Sequence, residues 1–187
     1  MAFTVVPDKS SGDPVTLAMW DSIKDNLNKG VMRPIATTEV MTPVASITFS
    51  SIPADYRDLC VCVTHSRFNG ETGASTSSIR FNGDTGSNYH EQFLLASGST
   101  AVPSQIAAGT AVTMPSTPAF YVPNYLSTDQ HKMVFGGGPY GWVSPVMCRS
   151  AGVWANTAAV TSVTIAAQGV FNWEVGTRMT LYGIAGV

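Results

Sequence analysis

The chain has 187 residues, of which 44% are hydrophobic and 12% are charged, and its formal net charge is −2. No basic run indicates a nucleic-acid binder, and no apolar stretch approaches the roughly 20 residues that span a bilayer. The first residues lack a basic segment followed by an apolar one, so we expect no secretory signal peptide. The length predicts a single domain with room for a small appendage, and the low charge predicts that it hides much of its surface in an assembly or covers it with uncharged polar side chains.

The N-terminal region predicts an amphipathic helix over about 13–29. Asp13 is a suitable N-cap, Pro14 suits the first helical position, and Gly30 favours termination. A helix of this length is marginal alone in water, so its apolar side needs a partner. That partner is the domain that follows, another copy of the chain or a docking protein.

The apolar stripe of this helix is the candidate assembly contact. It consists of residues at helical spacing, namely Val15, Met19, Trp20, Ile23 and Leu27. Residues 31–43 carry prolines and threonines and predict a linker. The sequence therefore divides into an arm over 1–43 and a separate domain over 44–187.

From Val44 onward the helical period disappears, and short alternating segments predict strands. These segments are 47–50, 58–66, 77–82, 89–95, 119–126, 131–136, 142–150, 160–166 and 177–184. Residues 96–118, rich in small and polar residues, predict a long surface loop, and residues 136–139 predict an irregular segment. The pattern predicts a mainly β protein, an antiparallel β-sandwich or jelly-roll behind a short helical arm.

A turn is predicted where Asn82, Gly83, Asp84 and Gly86 follow a strand segment, because these residue types tolerate positive φ. We expect a hairpin there. The oxygens of the same stretch also suit a calcium ion, but a single carboxylate and no EF-hand pattern favour the turn.

The residues that carry chemistry in other proteins form no recognisable motif here. Cys60, Cys62 and Cys148 are an odd number without the spacing of a metal site, which predicts buried free thiols. Zinc-protease, nucleophile-elbow and Walker motifs are absent, so we expect no catalytic, cofactor or metal residues and no enzyme. Paired carboxylates of a glycosidase stay an open alternative, because such partners meet in space and not in sequence.

Aromatic residues in or beside the predicted loops have two possible roles. They suit either the core of a sandwich or contacts with sugars and proteins. The residues concerned are Tyr121, Tyr125, Tyr140, Trp142, Trp154 and Trp173.

Several segments resemble surface proteins of tailed-bacteriophage particles. Residues 47–59 contain FSSIP and YRDL, residues 79–89 contain RFNGDTGSNY, and residues 159–184 contain AVTSVTI and GTRMTLYGI. Residues 12–27 are similar to a leader that precedes such domains. The resemblance covers most of the chain and is weakest over 96–150.

The resemblance implies a structural protein on the virion surface, made in the bacterial host cytoplasm. The first expectation is a capsid decoration or cement protein on the outer head surface, with itself as a homotrimer and the major capsid protein or other virion proteins as partners. The alternative is a tail-fibre or head-fibre module that binds a host-surface glycan. Neither implies a nucleic acid, a membrane, a cofactor or a metal.

Overall fold

The computed structural model describes residues 32–64, 76–97, 100–103, 107–109, 112–115, 119–140, 146–167 and 171–185. The predicted helix over 13–29 and its stripe lie outside the described residues. Within them the chain forms strands and no helix.

The residues that the structure describes form thirteen strands in chain order. They are β1 (Met32–Glu39), β2 (Ser46–Phe49), β3 (Asp58–Thr64), β4 (Thr76–Phe81), β5 (Tyr89–Ser97), β6 (Thr100–Pro103), β7 (Ala107–Gly109), β8 (Val112–Pro115), β9 (Ala119–Val122), β10 (Lys132–Tyr140), β11 (Val146–Trp154), β12 (Val163–Ala167) and β13 (Arg178–Ile184).

These strands form two sheets, which we call the large and the small sheet. The large sheet has the order β1-β13-β3-β9-β10-β11-β5-β6, with β7 also paired to β5. The small sheet has the order β2-β12-β4-β8. Every pairing is antiparallel. The predicted antiparallel β-sandwich is therefore confirmed.

The core follows from the two-residue period of the strands. On β3, Leu59, Val61 and Val63 are buried, while Cys60 and Cys62 between them are half-buried on the opposite face. The same alternation on the other strands places one continuous apolar cluster between the sheets. Its largest buried side chains are Trp154, Trp173, Tyr89, Tyr125, Phe81 and Phe120.

The turn after β4 forms as predicted, but it does not make a hairpin. Asn82 and Gly83 adopt φ values of 52° and 67°, and the Asp84 amide donates to the Phe81 carbonyl at 2.9 Å. The strands on either side, β4 and β5, belong to different sheets. The turn therefore carries the chain from the small sheet to the large sheet, and β4 pairs with β12 and β8 instead.

Asp84 holds this crossing in place. Its carboxylate accepts hydrogen bonds from the Trp154 indole at 2.7 Å, the Asn88 amide group at 3.0 Å and the Gly86 amide at 2.8 Å. The bond from Trp154, followed by the other two, lowers the pKa of Asp84 below its ordinary value. The buried rings of Trp154 and Tyr89 stack with centroids 6.3 Å apart, so the indole that binds Asp84 also packs on the first residue of β5.

Three expectations about irregular segments were wrong. Most of the predicted linker is the edge strand β1, in which Pro34 is tolerated because only one side of the strand pairs and a bulge follows it. Three short strands, β6 to β8, interrupt the predicted loop over 96–118. Residues 136–139 lie inside β10 and pair with β11 throughout. The β domain therefore includes Met32–Glu39, which precede Val44 in the chain.

We expect Asp84→Ala to lower the free energy of unfolding by about 1–3 kcal/mol, because it leaves the buried Trp154 N–H without an acceptor. The measurement is urea unfolding at neutral pH. The matched control is Asp55→Ala, which removes an exposed carboxylate and should change little.

The stability that the Asp84 carboxylate contributes should depend on pH. Because the folded pKa of Asp84 is lowered, its contribution is complete above about pH 4 and is lost as the pH falls through the folded value. The stability difference between wild type and Asp84→Ala should therefore shrink in acid. An equal difference at pH 7 and in strong acid would contradict the role of the carboxylate.

Candidate functional site

Large apolar side chains are exposed mainly on one surface, the side of the large sheet that faces away from the small sheet. We call it the outer face. Among the described residues, six large hydrophobic side chains are exposed. Four of them lie at strand positions whose side chains point to the outer face. They are Met32 (45% exposed), Tyr121 (36%), Met133 (45%) and Phe135 (41%).

The strand register aligns part of this surface into a continuous line, which we call the cross-strand row. Neighbouring residues in the row are direct Cα partners on adjacent strands. In order, the row is Pro34, Tyr182, Cys60, Tyr121, Phe135, Ala151 and Gln92. No member carries a charge, and the rings of Tyr121 and Phe135 lie 6.5 Å apart.

A charged group anchors the row at one side. The buried Asp58 accepts hydrogen bonds from the Tyr121 hydroxyl at 2.9 Å, the Asn124 amide at 3.0 Å and the Arg57 guanidinium at 2.8 Å. Burial alone would raise the pKa of Asp58, but these bonds, led by the one from Arg57, lower it below its ordinary value. The hydroxyl group thus holds the Tyr121 ring in place, while about a third of the residue's surface stays exposed.

The strand that carries Met133 and Phe135 is anchored by a buried cation. The Lys132 ammonium donates to the backbone carbonyls of Ser127, Gln130 and Thr157 at distances from 2.5 to 3.1 Å. Burial lowers the pKa of Lys132. Because Lys132 points inward at the start of β10, Met133 and Phe135 must point outward.

Two thiols lie at the centre of the outer face. Cys60 and Cys62 are free, with their Sγ atoms 3.8 Å apart. The prediction that they are buried was wrong, because both side chains are half-buried. Burial, and then the neighbouring Cys62, raises the pKa of Cys60 to about 12. A thiol in this state is a poor nucleophile and serves as a small apolar contact. The side chain of Cys148 lies outside the described part.

The other predicted site residues lie in different places. The assembly stripe of Val15, Met19, Trp20, Ile23 and Leu27 falls outside the described residues. The turn residues hold the crossing between the sheets and do not touch the outer face. Trp154, Trp173 and Tyr125 are in the core, and Tyr121 is the exposed member of the aromatic set whose side chain the structure describes on this face.

The surface also contains a shallow cleft beside Asp58, with a volume of about 450 Å³. It is lined by Tyr56, Arg57, Asn124, Leu126, Ser127 and Gln130. Its charged side chain, Arg57, already binds Asp58. In the described part of the chain, no three His, Cys, Asp or Glu residues are close enough to hold a metal ion.

The sequence alone does not reveal the outer face, because the cross-strand row depends on the register of seven strands. A partial signal was present, since Met133 and Phe135 alternate with Lys132 and Val134. That alternation predicts two faces but does not show that both carry apolar groups.

Comparison with known proteins adds no relative. The chain matches no protein-family model, no curated protein and no solved structure. Over the residues that the structure describes, no helix is long and apolar enough to cross a membrane.

We expect Cys60 to react with iodoacetamide roughly 50-fold more slowly in the folded chain than after denaturation. A pKa of about 12 leaves about a thousandth of the thiolate of an ordinary cysteine, and the greater nucleophilicity of a basic thiolate offsets part of that loss. Tandem mass spectrometry separates Cys60 from Cys62 in one peptide. The denatured, unreduced chain should contain three free thiols.

The variant Cys62→Ser is the control for this measurement. Because burial is the larger cause of the raised pKa, Cys60 should stay slow to react in that variant. Equal rates in the folded and denatured wild type would show that the thiol is not shielded.

Proposed function

We propose that the protein is a non-enzymatic structural protein of the surface of a tailed-phage particle, acting as a capsid decoration or cement protein. Its working surface is the outer face of the large sheet, which docks within the assembly. The assignment to a phage particle is supported by the resemblance of three segments to such proteins, namely residues 47–59, 79–89 and 159–184. The low charge of the chain supports a surface that is buried in permanent contacts.

The observation that carries the proposal is the uncharged cross-strand row with its exposed rings. An antiparallel sheet that has one face on the core normally turns polar side chains to water on the other. Here Tyr121 and Phe135 in the row, and Met133 beside them on the same face, stay exposed by a third to nearly a half. Covering the rest of each side chain would stabilise a complex by about 1 kcal/mol per residue.

The outer side of the small sheet has the opposite character and supports the same orientation. Thr48 and Thr164 pair there through their hydroxyls at 2.9 Å, beside exposed Ser46 and half-exposed Arg80. Hydroxyl groups lose little by remaining in water. We therefore orient the large sheet toward the assembly and the small sheet toward solvent.

A second candidate function is the binding of a host-surface glycan by a fibre module. The cleft beside Asp58 favours it, because Arg57, Asn124 and Gln130 offer polar groups next to the ring of Tyr56. One side of that ring is already used, since it packs so closely on Gly183 that a Cβ there would overlap it. The cleft is therefore a poorer stacking site than an open aromatic platform.

We expect the double variant Met133→Thr with Phe135→Thr to bind particles assembled without the protein at least tenfold more weakly. About 1 kcal/mol is lost at each position, and threonine preserves the strand. Co-sedimentation with the particles measures the affinity. The matched control, Met41→Thr with Val175→Thr, removes two more exposed apolar side chains outside the outer face and should bind normally.

Cryo-electron microscopy of the intact particle separates the two candidates. Regular copies over the head are expected for decoration. A few copies at a tail or a vertex, together with glycan binding that Arg57→Ala abolishes, would replace decoration by the fibre function.

A further inference from the structure

We propose that Cys60 and Cys62 form a dithiol site that binds a trivalent arsenical through both sulfurs, and that its occupation closes the cross-strand row to the partner that docks there. The binding follows from the geometry of the two thiols alone. The closure rests on the proposed function, because it gives the same outer face a chemical switch.

The two thiols are held side by side by a strand that is paired on both sides. Cys60 and Cys62 are alternate residues of β3, so both side chains point to the outer face. Both residues pair with β13 on one side and with β9 on the other. Their Sγ atoms lie 3.8 Å apart in this arrangement. A ligand that needs two sulfurs therefore finds them already in place, which lowers the entropic cost of binding.

The pair is poorly placed to close into a disulfide. Alternate residues of a strand have Cα atoms about 6.6–6.8 Å apart, which is near the upper limit for a disulfide bridge. The sulfurs would also have to approach from 3.8 Å to bonding distance while β3 stays paired to both neighbours. Both cysteines are free in the structure. They therefore remain available as a dithiol.

The distance between the sulfurs selects the kind of atom that can bridge them. With bonds of about 2.3 Å, as between zinc and thiolates, an atom bridging sulfurs 3.8 Å apart has a bond angle of about 110°. This angle suits a pyramidal or tetrahedral centre. A linear two-coordinate ion with bonds of the same length would need sulfurs about 4.6 Å apart, so it fits poorly.

A trivalent arsenical is complete with two sulfurs, whereas a zinc ion is not. Structural zinc takes four ligands, and catalytic zinc takes three from the protein. In the part of the chain that the structure describes, no third His, Cys, Asp or Glu is close enough to complete a metal site with the pair. The arsenic of an aryl arsenical already carries one carbon, and two cysteine sulfurs fill its remaining positions.

The reaction with phenylarsine oxide leaves neither a charge nor a change of oxidation state. Two As–S bonds form, the As–O bond breaks, and the oxygen leaves with both thiol protons as water. Arsenic stays trivalent and the sulfurs stay reduced. Burial raises the pKa of Cys60 to about 12, which disfavours ligands that need a thiolate. A neutral product also suits a row that has no charged member.

Occupation of the dithiol fills the low point of the row. Cys60 lies between Tyr182 and Tyr121 as the direct Cα partner of both, and its side chain is smaller than either ring. A bound aryl arsenical adds a further ring there, on the side of the sheet to which the sulfurs point. A partner shaped to the free row then cannot cover the exposed rings of Tyr121 and Phe135. A competing dithiol that removes the arsenical opens the face again.

Titration of the full chain with phenylarsine oxide tests the site. Native mass spectrometry should find one arsenical bound to each wild-type chain. Cys60→Ser and Cys62→Ser should each bind it at least about a hundredfold more weakly, because the second bond is no longer intramolecular. The matched control Cys148→Ser keeps the pair and should bind as the wild type does, and circular dichroism verifies that each variant is folded.

Co-sedimentation with particles assembled without the protein tests the closure. We expect phenylarsine oxide to weaken particle binding by the wild type and by Cys148→Ser at least about tenfold, because the rings of the row then stay in water. Excess dithiothreitol should restore the binding. Particle binding by Cys62→Ser, which cannot chelate the arsenical, should not respond to either reagent.

Two outcomes overturn the inference. Equal binding of the arsenical by the wild type, Cys60→Ser and Cys62→Ser would place the site elsewhere. Unchanged particle binding by the arsenical-loaded wild type would show that the occupied dithiol does not close the face. A chain that binds the arsenical through this pair, but binds no particle even without it, would confirm the site and refute the proposed function, so the two failures are distinguishable.

Discussion

The hydrogen bond from the Trp154 indole to Asp84 is the constraint on which the other features depend. Trp154 ends β11 and lies opposite Tyr89, which begins β5, so the contact fixes the register of these two strands. It does so at the point where the chain leaves the small sheet. The register of β11 then sets that of β10, and through β9 that of β3. The alignment of Phe135, Tyr121 and Cys60 on the outer face is a consequence of this chain of pairings.

The two outer surfaces of the sandwich differ because different residue types occupy the outward-pointing positions of the two sheets. In the small sheet, the inward positions carry Ile47, Phe49 and Ile165, while the outward ones carry hydroxyl groups. In the large sheet, apolar side chains fill the inner face and also part of the outer face, beside polar and charged residues such as Thr180 and Arg149. Burial of apolar side chains on the inner face stabilises the fold. The apolar surface that stays exposed on the outer face is removed from water only when another molecule binds there. The low charge of the whole chain is consistent with this division.

Sequence patterns predicted those features that depend on nearby residues. The alternation on β3, the turn at Asn82 and the antiparallel class were accessible, because period and turn chemistry are local. The sequence did not predict that residues 136–139 form a strand, because glycine has no side chain to show a period. Their pairing with β11 is a tertiary effect. The hairpin expected after β4 failed for a related reason. A turn specifies a reversal, but the contact of Asp84 with the distant Trp154 decides which sheet the chain enters.

The cross-strand row offers shape and no charge of its own, although exposed Arg149 lies on the same face two residues from Ala151. Arg57 is neutralised by Asp58 at its margin, and Lys132 is turned inward onto three carbonyls, so neither projects a free charge across the row. Within the row, specificity therefore comes from the sequence of large and small side chains. The half-buried thiol of Cys60 fits that role better than a reactive one, because a pKa of about 12 keeps it protonated between two aromatic neighbours. A larger residue at this position would fill the low point of the row and remove the shape on which recognition depends.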